Sequence, residues 1–550
     1  MELDGRSLPP SIVLDADLCV IGGGVAGITL VRQFVGQAVK VLLIESGGRS
    51  PSEDTQKLCA GENIGFSYYA LDEARARCLA GSSSRWHVPI GENRLGARLR
   101  ALDPLDFEER AWVSESGWPF GYRELAAYYE RACDFCEVGA GARDPARWSG
   151  ETLRSPSPFP PGELKSILFR FCDREVFINK HPRELIRAEN VICLLHATVL
   201  RLFTNETGDL VTGLEGGTLG GNHFIVQAKQ FVLAAGGLDV PRLLLVSDRT
   251  RRQGIGNDHG IVGRYFMEHI HFWSGVLVPE TEEIFAQARR YSELQKVNGA
   301  PALGKLALPE RVIRERRLLN QNVQLIPIRL PDPFRFPRMS GYLAEALHAS
   351  AHPRGVHDFG RNVGTVLSRW KELTRVIVKR IQRKIAGLPD RPVFILANMA
   401  EQTPKGESRV LLGDQLDAFG VPMPKLDWRI SAQDIRSVCE THAYIDEVMR
   451  RSGIGRLYRE LHDDQPPGLV AGRHPQSSAH GGYHHMGTTR MHVDPKRGVV
   501  DANCRVHAVS NLYIAGPSVF PTGGYANPAL TIVALTLRLA DHLKARRFPP

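Results

Sequence analysis

The sequence predicts an α/β fold, and two observations near its start support this. Leu18–Ile21 is a short apolar run typical of a buried strand, and the glycine-rich turn Gly22–Gly27 follows it directly. A helical stretch and a second apolar run, Val39–Ile44, come next, and Glu45 ends that run. This order is typical of a Rossmann-type dinucleotide-binding domain, in which the glycines admit a pyrophosphate and the acid accepts ribose hydroxyls. A tight turn in an unrelated α/β domain is the alternative.

Length, charge and cysteine content limit the classes of protein to which this chain can belong. A chain of 550 residues is too long for one compact core, so at least two domains are expected. The net charge of +9 is modest and no nucleic-acid motif is present, which excludes a nucleic-acid-binding protein. No apolar run reaches the ~18 residues that span a bilayer, and the first residues do not resemble a secretory signal. Nine scattered cysteines fit a reducing compartment, so we expect a cytoplasmic protein.

Two groups of residues resemble metal ligands. Cys133 and Cys136 form a C-x-x-C inside a predicted helix over 124–137, and His269 and His271 alternate on a predicted strand. Neither pair has a further ligand close by in the sequence, and zinc sites use three or four protein ligands. We therefore predict no metal, with packing roles for the cysteines and packing or domain-boundary roles for the histidines.

A basic segment lies in residues 276–389, the region whose role the sequence defines least. Arg369–Lys384 carries seven basic residues against one acid, within a predicted amphipathic helix over 366–385. Such a helix is either a solvated surface helix, which we favour, or a peripheral contact with an anionic membrane.

The C-terminal part of the chain carries the candidate chemistry. His484 is a side chain that can take up and return a proton near neutral pH, so it is a candidate acid or base. His485 is expected to point away from it, because neighbouring side chains alternate in extended backbone. Asn527 and Pro528 precede an apolar-striped helix over 529–543, which predicts Asn527 at the N-cap and Pro528 at the first helical position.

Other elements follow from apolar periodicity. Strands are predicted over 191–204, 224–235, 394–399, 408–412 and 424–428, and helices over 238–247 and 433–452.

Several segments together resemble the glucose-methanol-choline (GMC) oxidoreductase family, in particular its sugar-oxidase-like bacterial branch. They are Gly22–Gly27 with Glu45, Leu79–Trp86, Leu102–Pro119, Val232–Leu245 with Gly254–His269, and Gly482–Leu543. The resemblance implies an FAD-binding Rossmann-type domain and an inserted substrate domain built on an antiparallel sheet, α+β overall. The implied bounds are 12–110, 190–270 and 480–546 for the discontinuous FAD-binding domain, and 111–189 and 271–479 for the substrate-binding domain.

The resemblance also implies roles for individual residues. His484 matches the family's catalytic histidine, and Asn527 matches the second polar group beside it, which is His or Asn in the family. The implied cofactor contacts are Gly22, Gly24, Gly27 and Glu45 at the pyrophosphate and ribose, Val199 at the adenine, Ala235 and Gly236 near the pyrophosphate, Gly81 and Ser82 over the isoalloxazine, and Gly516, Asn527 and Pro528 around the far end of the flavin.

One departure from the family bears on how FAD is held. Members that attach FAD covalently in this loop carry His directly before the Trp, whereas this chain has Arg85 before Trp86 and His87 after it. We therefore predict non-covalent FAD.

The implied activity is oxidation of a CH–OH group in a sugar, glycoside, polyol or other alcohol, with hydride transfer to flavin N5 and a His base. Alternatives are a flavin-dependent lyase or light-driven decarboxylase on the same fold, a non-catalytic flavin-binding protein, and an NAD-dependent dehydrogenase. The sequence does not distinguish oxygen, a quinone or a redox partner protein as the electron acceptor, nor does it define the substrate or the oligomeric state.

Overall fold

The structure is a computed structural model that describes residues 1–139, 158–247, 250, 252–297, 299–329, 392–459 and 481–548. The strands in these residues are β1 Glu2–Asp4, β2 Ile12–Ile21, β3 Val41–Ile44, β4 Glu62–Asn63, β5 Val88–Gly91, β6 Arg94–Leu99, β7 Lys165–Asp173, β8 Val191–Leu195, β9 Thr198–Thr204, β10 Val211–Gly217, β11 His223–Leu233, β12 Ile270–Pro279, β13 Gln295–Val297, β14 Ala300–Ala307, β15 Gln321–Arg329, β16 Pro392–Ala400, β17 Arg409–Leu416, β18 Pro422–Asp427, β19 Gly455–Arg459 and β20 Leu512–Ile514. The α-helices are α1 Val25–Arg32, α2 Glu53–Lys57, α3 Tyr122–Phe135, α4 His181–Arg187, α5 Gly236–Val246, α6 Glu283–Gln287, α7 Glu310–Arg316, α8 Ala432–Arg451 and α9 Ala529–Arg547.

The first sheet is mostly parallel. In the described residues its order is β1-β8-β3-β2-β11-β10-β9, and β20 pairs with β11 outside that path. Strands β1, β8, β3, β2, β11 and β20 run parallel, whereas β10 and β9 are antiparallel additions. Ligands of such sheets bind at the carboxyl ends of the parallel strands. The loops after β2, β3, β11 and β20 leave this edge, and they begin at Gly22, Glu45, Ala234 and Ala515.

The strands at the centre of this sheet are almost entirely apolar because helices cover them. Leu18–Ile21 and Val41–Ile44 are at most 5% exposed. Helix α9 packs against α1 and α3 beside the sheet. The uninterrupted apolar runs in the sequence are therefore those expected for strands buried on both faces.

The second sheet is antiparallel. In the described part of the chain its order is β19-β12-β16-β15-β14-β7-β6-β5, with β13 paired to β14. A small third sheet joins β17, β18 and β4. The hairpin β5–β6 lies within residues 12–110, which we assigned to the FAD-binding domain, yet it pairs with the second sheet. The domain bounds remain a prediction.

Most predicted elements occur within a few residues of their expected bounds, with two corrections. The predicted strand over 191–204 is two strands, because His196 adopts a φ of 55° and interrupts the extended backbone. Helix α9 begins at Ala529 with Pro528 as its N-cap residue, one position later than predicted. The side chain of Asn527 does not cap this helix, since its Oδ1 accepts no hydrogen bond in the described part of the chain; its Nδ2 contacts another side chain described below.

Three further expectations from the sequence concern the C-x-x-C cysteines, the basic helix and membrane-spanning segments. Cys133 and Cys136 lie at the end of α3 and are buried in the core, as the packing interpretation expects. The predicted basic helix over 366–385 lies outside the described residues, so peripheral membrane contact stays a prediction. No helix that the structure describes combines the length and apolar character needed to cross a membrane.

Candidate active site

A cavity of about 590 Å³ lies at the carboxyl edge of the parallel strands, a size typical of small-molecule sites. Its wall brings together the predicted site residues Gly22, Gly24, Glu45, Gly81, Ser82, Val199, Ala235, Gly236, His484, Gly516, Asn527 and Pro528. We call the part lined by the first β-α turn and Val199 the nucleotide end, and the part lined by His484 and Asn527 the reaction end.

Part of the cavity wall is a cradle of bare backbone. At Gly236 and Gly516 an added Cβ would meet no atom within 4 Å, and the φ angles of 81° and 129° favour glycine there. At Gly24 the nearest atom to an added Cβ is the Cα of Gly81, at 4.0 Å. Side chains at these positions would therefore fill the cavity rather than clash with the protein. This cradle fits a dinucleotide whose pyrophosphate approaches the backbone closely.

Gly27 has a different position from the other predicted cofactor residues. It lies outside the cavity wall, and a Cβ there would lie 1.9 Å from the carbonyl oxygen of Gly22. We therefore replace the predicted cofactor contact with a packing role: Gly27 lets α1 approach the turn, which is the usual task of the third glycine in this motif.

Glu45 holds the loop that follows β3. One carboxylate oxygen, Oε2, accepts a hydrogen bond from the backbone N–H of Gly23 at 2.8 Å, and Oε1 accepts one from Gly47 at 2.9 Å. Burial raises the pKa of Glu45 to about 7, and these hydrogen bonds oppose that rise. Each oxygen has a further lone pair, so the side chain fits the predicted contact with ribose hydroxyls.

A buried cluster of charges beside the cradle was missed from the sequence. Arg77 donates to Ser46 Oγ at 3.0 Å and to Asp239 at 2.9 Å, and Arg75 donates to Asp239 at 2.5 Å. Burial raises the pKa of Asp239, but Arg75, Arg77 and Arg242 outweigh it and lower that pKa to about 2. The four charged side chains of this cluster line the cavity: Arg75, Arg77, Asp239 and Arg242. The repeat of arginine at alternate positions, Arg75 and Arg77, was the available signal.

At the reaction end, His484 and Asn527 meet on the wall of the cavity. Nδ2 of Asn527 lies 3.0 Å from Nε2 of His484, although the residues are 43 positions apart in the chain. Asn527 is 8% exposed, and its Oδ1 has no hydrogen-bond partner in the described part of the protein. A buried polar atom normally has a partner, so this amide is suited to a group bound in the cavity.

His269 lies directly behind His484, which the sequence did not indicate. The two Nδ1 atoms are 2.8 Å apart, and Nε2 of His269 lies 3.3 Å from the carbonyl oxygen of Gly523. The alternation of His269 and His271 in the sequence predicts only that the two side chains lie on the same face of a strand. Our packing interpretation of His269 was therefore incomplete, because the tertiary fold brings it into contact with the candidate base.

Glu268 joins three backbone segments beneath this site. Its carboxylate accepts hydrogen bonds from the N–H groups of His269, Gly482 and His484 at 2.9–3.0 Å, and from the hydroxyl of Tyr68. Burial raises its pKa to about 7, against the effect of these donors. A single buried carboxyl group thus fixes the backbone that carries both histidines.

His485 points away from His484, as alternation predicted. Its Nε2 lies 2.8 Å from the hydroxyl of Tyr68, and its ring packs beside Phe266. It also lines the cavity. The two neighbouring histidines therefore face different partners, and only His484 contacts Asn527.

The surroundings of His484 favour the neutral imidazole. Its pKa is lowered well below the usual range, first by burial and then by the positive charges that His269, His485, Arg98 and Lys305 carry or would carry. Arg98 on β6 lines the cavity, and Lys305 on β14 is buried. Among the described residues no group of three His, Cys, Asp or Glu side chains is arranged to hold a metal ion.

Comparisons with known proteins indicate the family that this chain resembles. Residues 404–536 match the family model described as GMC oxidoreductase. The chain is 26% identical to paromamine 6'-oxidase of Streptomyces fradiae over 95% of this chain and 90% of the relative. It is 23% identical to 2-methyl-1,2-propanediol dehydrogenase of Mycolicibacterium austroafricanum, over 81% of this chain and 78% of the relative.

Solved structures share the fold at low identity. Pyridoxine 4-oxidase from Mesorbium loti has a TM-score of 0.53 at 18% identity, over 97% of this chain and all (100%) of that chain. A variant of formate oxidase from Aspergillus oryzae RIB40 has a TM-score of 0.54 at 17% identity, over 98% of this chain and 99% of that chain.

The match over residues 404–536 and the two long alignments support an assignment to the GMC oxidoreductase family. The chain is an FAD-dependent oxidoreductase of the class that acts on alcohols and sugars.

Proposed function

We propose that this enzyme oxidises a CH–OH group of a sugar, glycoside, polyol or other alcohol, with His484 as the base that takes the hydroxyl proton. The observation that carries this proposal is the 3.0 Å contact between Nε2 of His484 and Nδ2 of Asn527 on the cavity wall. FAD, when bound, supplies the acceptor for the hydride that leaves the carbinol carbon.

The glycine cradle and Glu45 would hold the FAD. Gly24 and Gly236 leave the backbone open to a pyrophosphate, and Arg77 adds a buried positive charge beside Ser46. A pyrophosphate is favoured where backbone N–H groups and positive charges converge.

His484 would act as a neutral imidazole. A free hydroxyl is too weak an acid to ionise near neutral pH, so a positioned base contributes roughly 10²–10⁴ in rate. The lowered pKa of His484 keeps Nε2 available for a proton in the resting enzyme. In the resting enzyme the one lone pair of Nε2 accepts an N–H of Asn527. The substrate hydroxyl would replace that donor at Nε2, and the freed N–H would turn to the substrate oxygen.

The relatives support an alcohol or sugar as the substrate. Paromamine 6'-oxidase and 2-methyl-1,2-propanediol dehydrogenase are named for hydroxyl-bearing compounds, and both alignments extend over most of this chain. The resemblance to formate oxidase concerns the fold alone, and a fold hosts many reactions. We therefore favour CH–OH oxidation over a lyase or decarboxylase.

A screen for flavin reduction by candidate substrates tests the reaction. The purified holoenzyme is mixed in the dark, without oxygen, with sugars, glycosides, polyols and aliphatic alcohols, and the flavin absorbance is followed. We expect at least one alcohol to bleach the flavin. Parallel assays with oxygen or with a quinone then identify the electron acceptor. Bleaching by none of these compounds, together with light-dependent release of carbon dioxide from a carboxylic acid, would contradict the proposal.

We also propose that FAD is bound without a covalent link. Arg85 stands where covalent members have His, and its guanidinium donates to the carbonyl oxygen of Glu73 at 2.5 Å. His87 is the nearby alternative, since it lines the cavity. Acid precipitation of the holoenzyme should release yellow flavin into the supernatant. Flavin that stays with the precipitate, but is released from His87→Ala, would identify His87 as the attachment site instead.

A further inference from the structure

His269 and His484 are joined by one hydrogen bond between their Nδ1 atoms, and only one of these two nitrogens carries a proton. Their Nδ1 atoms are 2.8 Å apart, and their rings are nearly perpendicular, with centroids 4.9 Å apart. One nitrogen must donate and the other must accept. The direction of this bond is decided by what the outer nitrogens contact.

The outer contacts settle the direction. Nε2 of His269 faces the carbonyl oxygen of Gly523, which can only accept, so this nitrogen carries the proton. A neutral His269 then has a bare Nδ1, which accepts from Nδ1–H of His484. A neutral His484 in turn has a bare Nε2. That atom faces the amide of Asn527, whose N–H donates to it at 3.0 Å.

We propose that His269 is a positioning residue that selects the tautomer of His484, so that Nε2 is the bare nitrogen that receives the substrate proton. This inference rests on the proposed function, in which His484 is the base. His269 itself touches neither substrate nor cofactor in this scheme.

The supporting geometry is specific to these side chains. The loop over 523–527 provides both ends of the chain of contacts: the carbonyl of Gly523 fixes His269, and the amide of Asn527 meets His484. Glu268 binds the backbone N–H groups of both histidines at 2.9 Å, which keeps the rings in register.

The scheme requires that His269 stays neutral, because a doubly protonated ring would donate to His484 and reverse its tautomer. Burial lowers the pKa of His269 to about 4, which keeps it neutral near pH 7. The other charged or titratable groups around the pair are Arg98 on β6, His271 on β12, Lys305 on β14, Glu401 directly after β16, and His485 and Glu268 in the flanking segments. The cations disfavour a protonated pair, whereas an ionised Glu268 or Glu401 would favour one.

Nitrogen NMR of the FAD-loaded protein tests the tautomer directly. The holoenzyme is labelled with ¹⁵N-histidine, and the His484 signals are identified by their loss in His484→Gln. At pH 7 we expect Nδ1 of His484 to carry the proton and Nε2 to be bare. A proton on Nε2 of His484 would overturn the proposal, whatever the activity of the enzyme.

Two substitutions of His269 separate positioning from packing. His269→Asn places an acceptor oxygen near the Nδ1 position, whereas His269→Gln extends its amide towards Gly523 and leaves no acceptor there. We expect His269→Asn to retain kcat within about threefold, and His269→Gln to lose roughly 10–100-fold in kcat with little change in KM. The NMR signal of Nε2 in His269→Gln should also move towards the protonated form.

The outcomes distinguish this inference from the proposed function. Equal activities in the two His269 variants, with a large loss in His484→Ala, would overturn only the role of His269. Full activity in His484→Ala would instead remove the proposed base. If His269→Gln does not fold, the tautomer measured in the unmodified holoenzyme still decides the matter.

Discussion

The two ends of the cavity are built in different ways. The nucleotide end consists mostly of backbone in loops that directly follow parallel strands, and each loop is a short continuous piece of sequence. The reaction end consists of side chains from distant segments, among them Arg98, His484 and Asn527, with His269 behind His484. The nucleotide end therefore depends on the local geometry of short loops, whereas the reaction end depends on tertiary contacts between distant parts of the chain. Changes at the two ends should therefore have separable effects.

The largest expected effect lies at the reaction end. His484→Ala removes the proposed base, so kcat should fall roughly 10²–10⁴-fold while the yellow cofactor is retained. Steady-state kinetics and the absorbance ratio of flavin to protein measure the two properties on one sample. Loss of flavin together with activity would mean that the two ends are not independent.

The converse change lies at the nucleotide end. Gly24→Val places a side chain in the cradle, where the nearest protein atom to an added Cβ is 4.0 Å away. The protein should fold but bind FAD at least tenfold more weakly, a loss of about 1.4 kcal/mol or more. The matched control is Gly121→Val, because Gly121 is likewise an N-cap glycine with extended backbone and open space around it. Equal FAD affinity in both variants would exclude this edge as the pyrophosphate site.

Substitutions of Asn527 test the reaction end a second time, because its amide contacts His484 there. Asn527→Ala removes a donor to Nε2 of His484, and we expect a loss of roughly 10–100-fold in kcat. Asn527→His restores a ring N–H, which other family members use at this position, so it should retain more activity than the alanine variant. If Asn527→Ala matches the parent enzyme, the amide has a purely structural role.

The smallest effect concerns stability and pH. Burial lowers the pKa of His485 to about 3, below the value of about 6.5 in unfolded chains. As the pH falls from 6.5 towards 3, the unfolded state takes up a proton at this site that the folded state does not, so His485 lowers the unfolding free energy. His485→Gln removes this titration and should reduce the pH slope by one proton, about 1.4 kcal/mol per pH unit.

The measurement is chemical unfolding of the holoenzyme at several pH values between 6.5 and 4.5. The control is His259→Gln, a change at an exposed histidine. An unchanged slope in His485→Gln would mean that the site already takes up its proton in the folded protein.

The difference between the two ends also explains what could be predicted from the sequence. The glycine turn and Glu45 were predictable because each belongs to a motif with fixed local spacing. His484 and Asn527 were identified through the family resemblance, and their contact then depended on the fold. The contact between His269 and His484 was not predicted because the two lie 215 positions apart, and nothing in the local pattern Met267–His271 indicates that partner. The cluster around Asp239 was missed for the same reason.

Glu268 has a consequence for engineering this enzyme. One carboxyl group ties the backbone at residues 269, 482 and 484, so the two histidines will tend to shift as a unit rather than one at a time. Attempts to broaden the range of alcohols accepted should therefore leave this anchor intact and vary residues that reach the cavity from the sheet, such as Arg98. Libraries that include the anchor should yield mostly inactive protein.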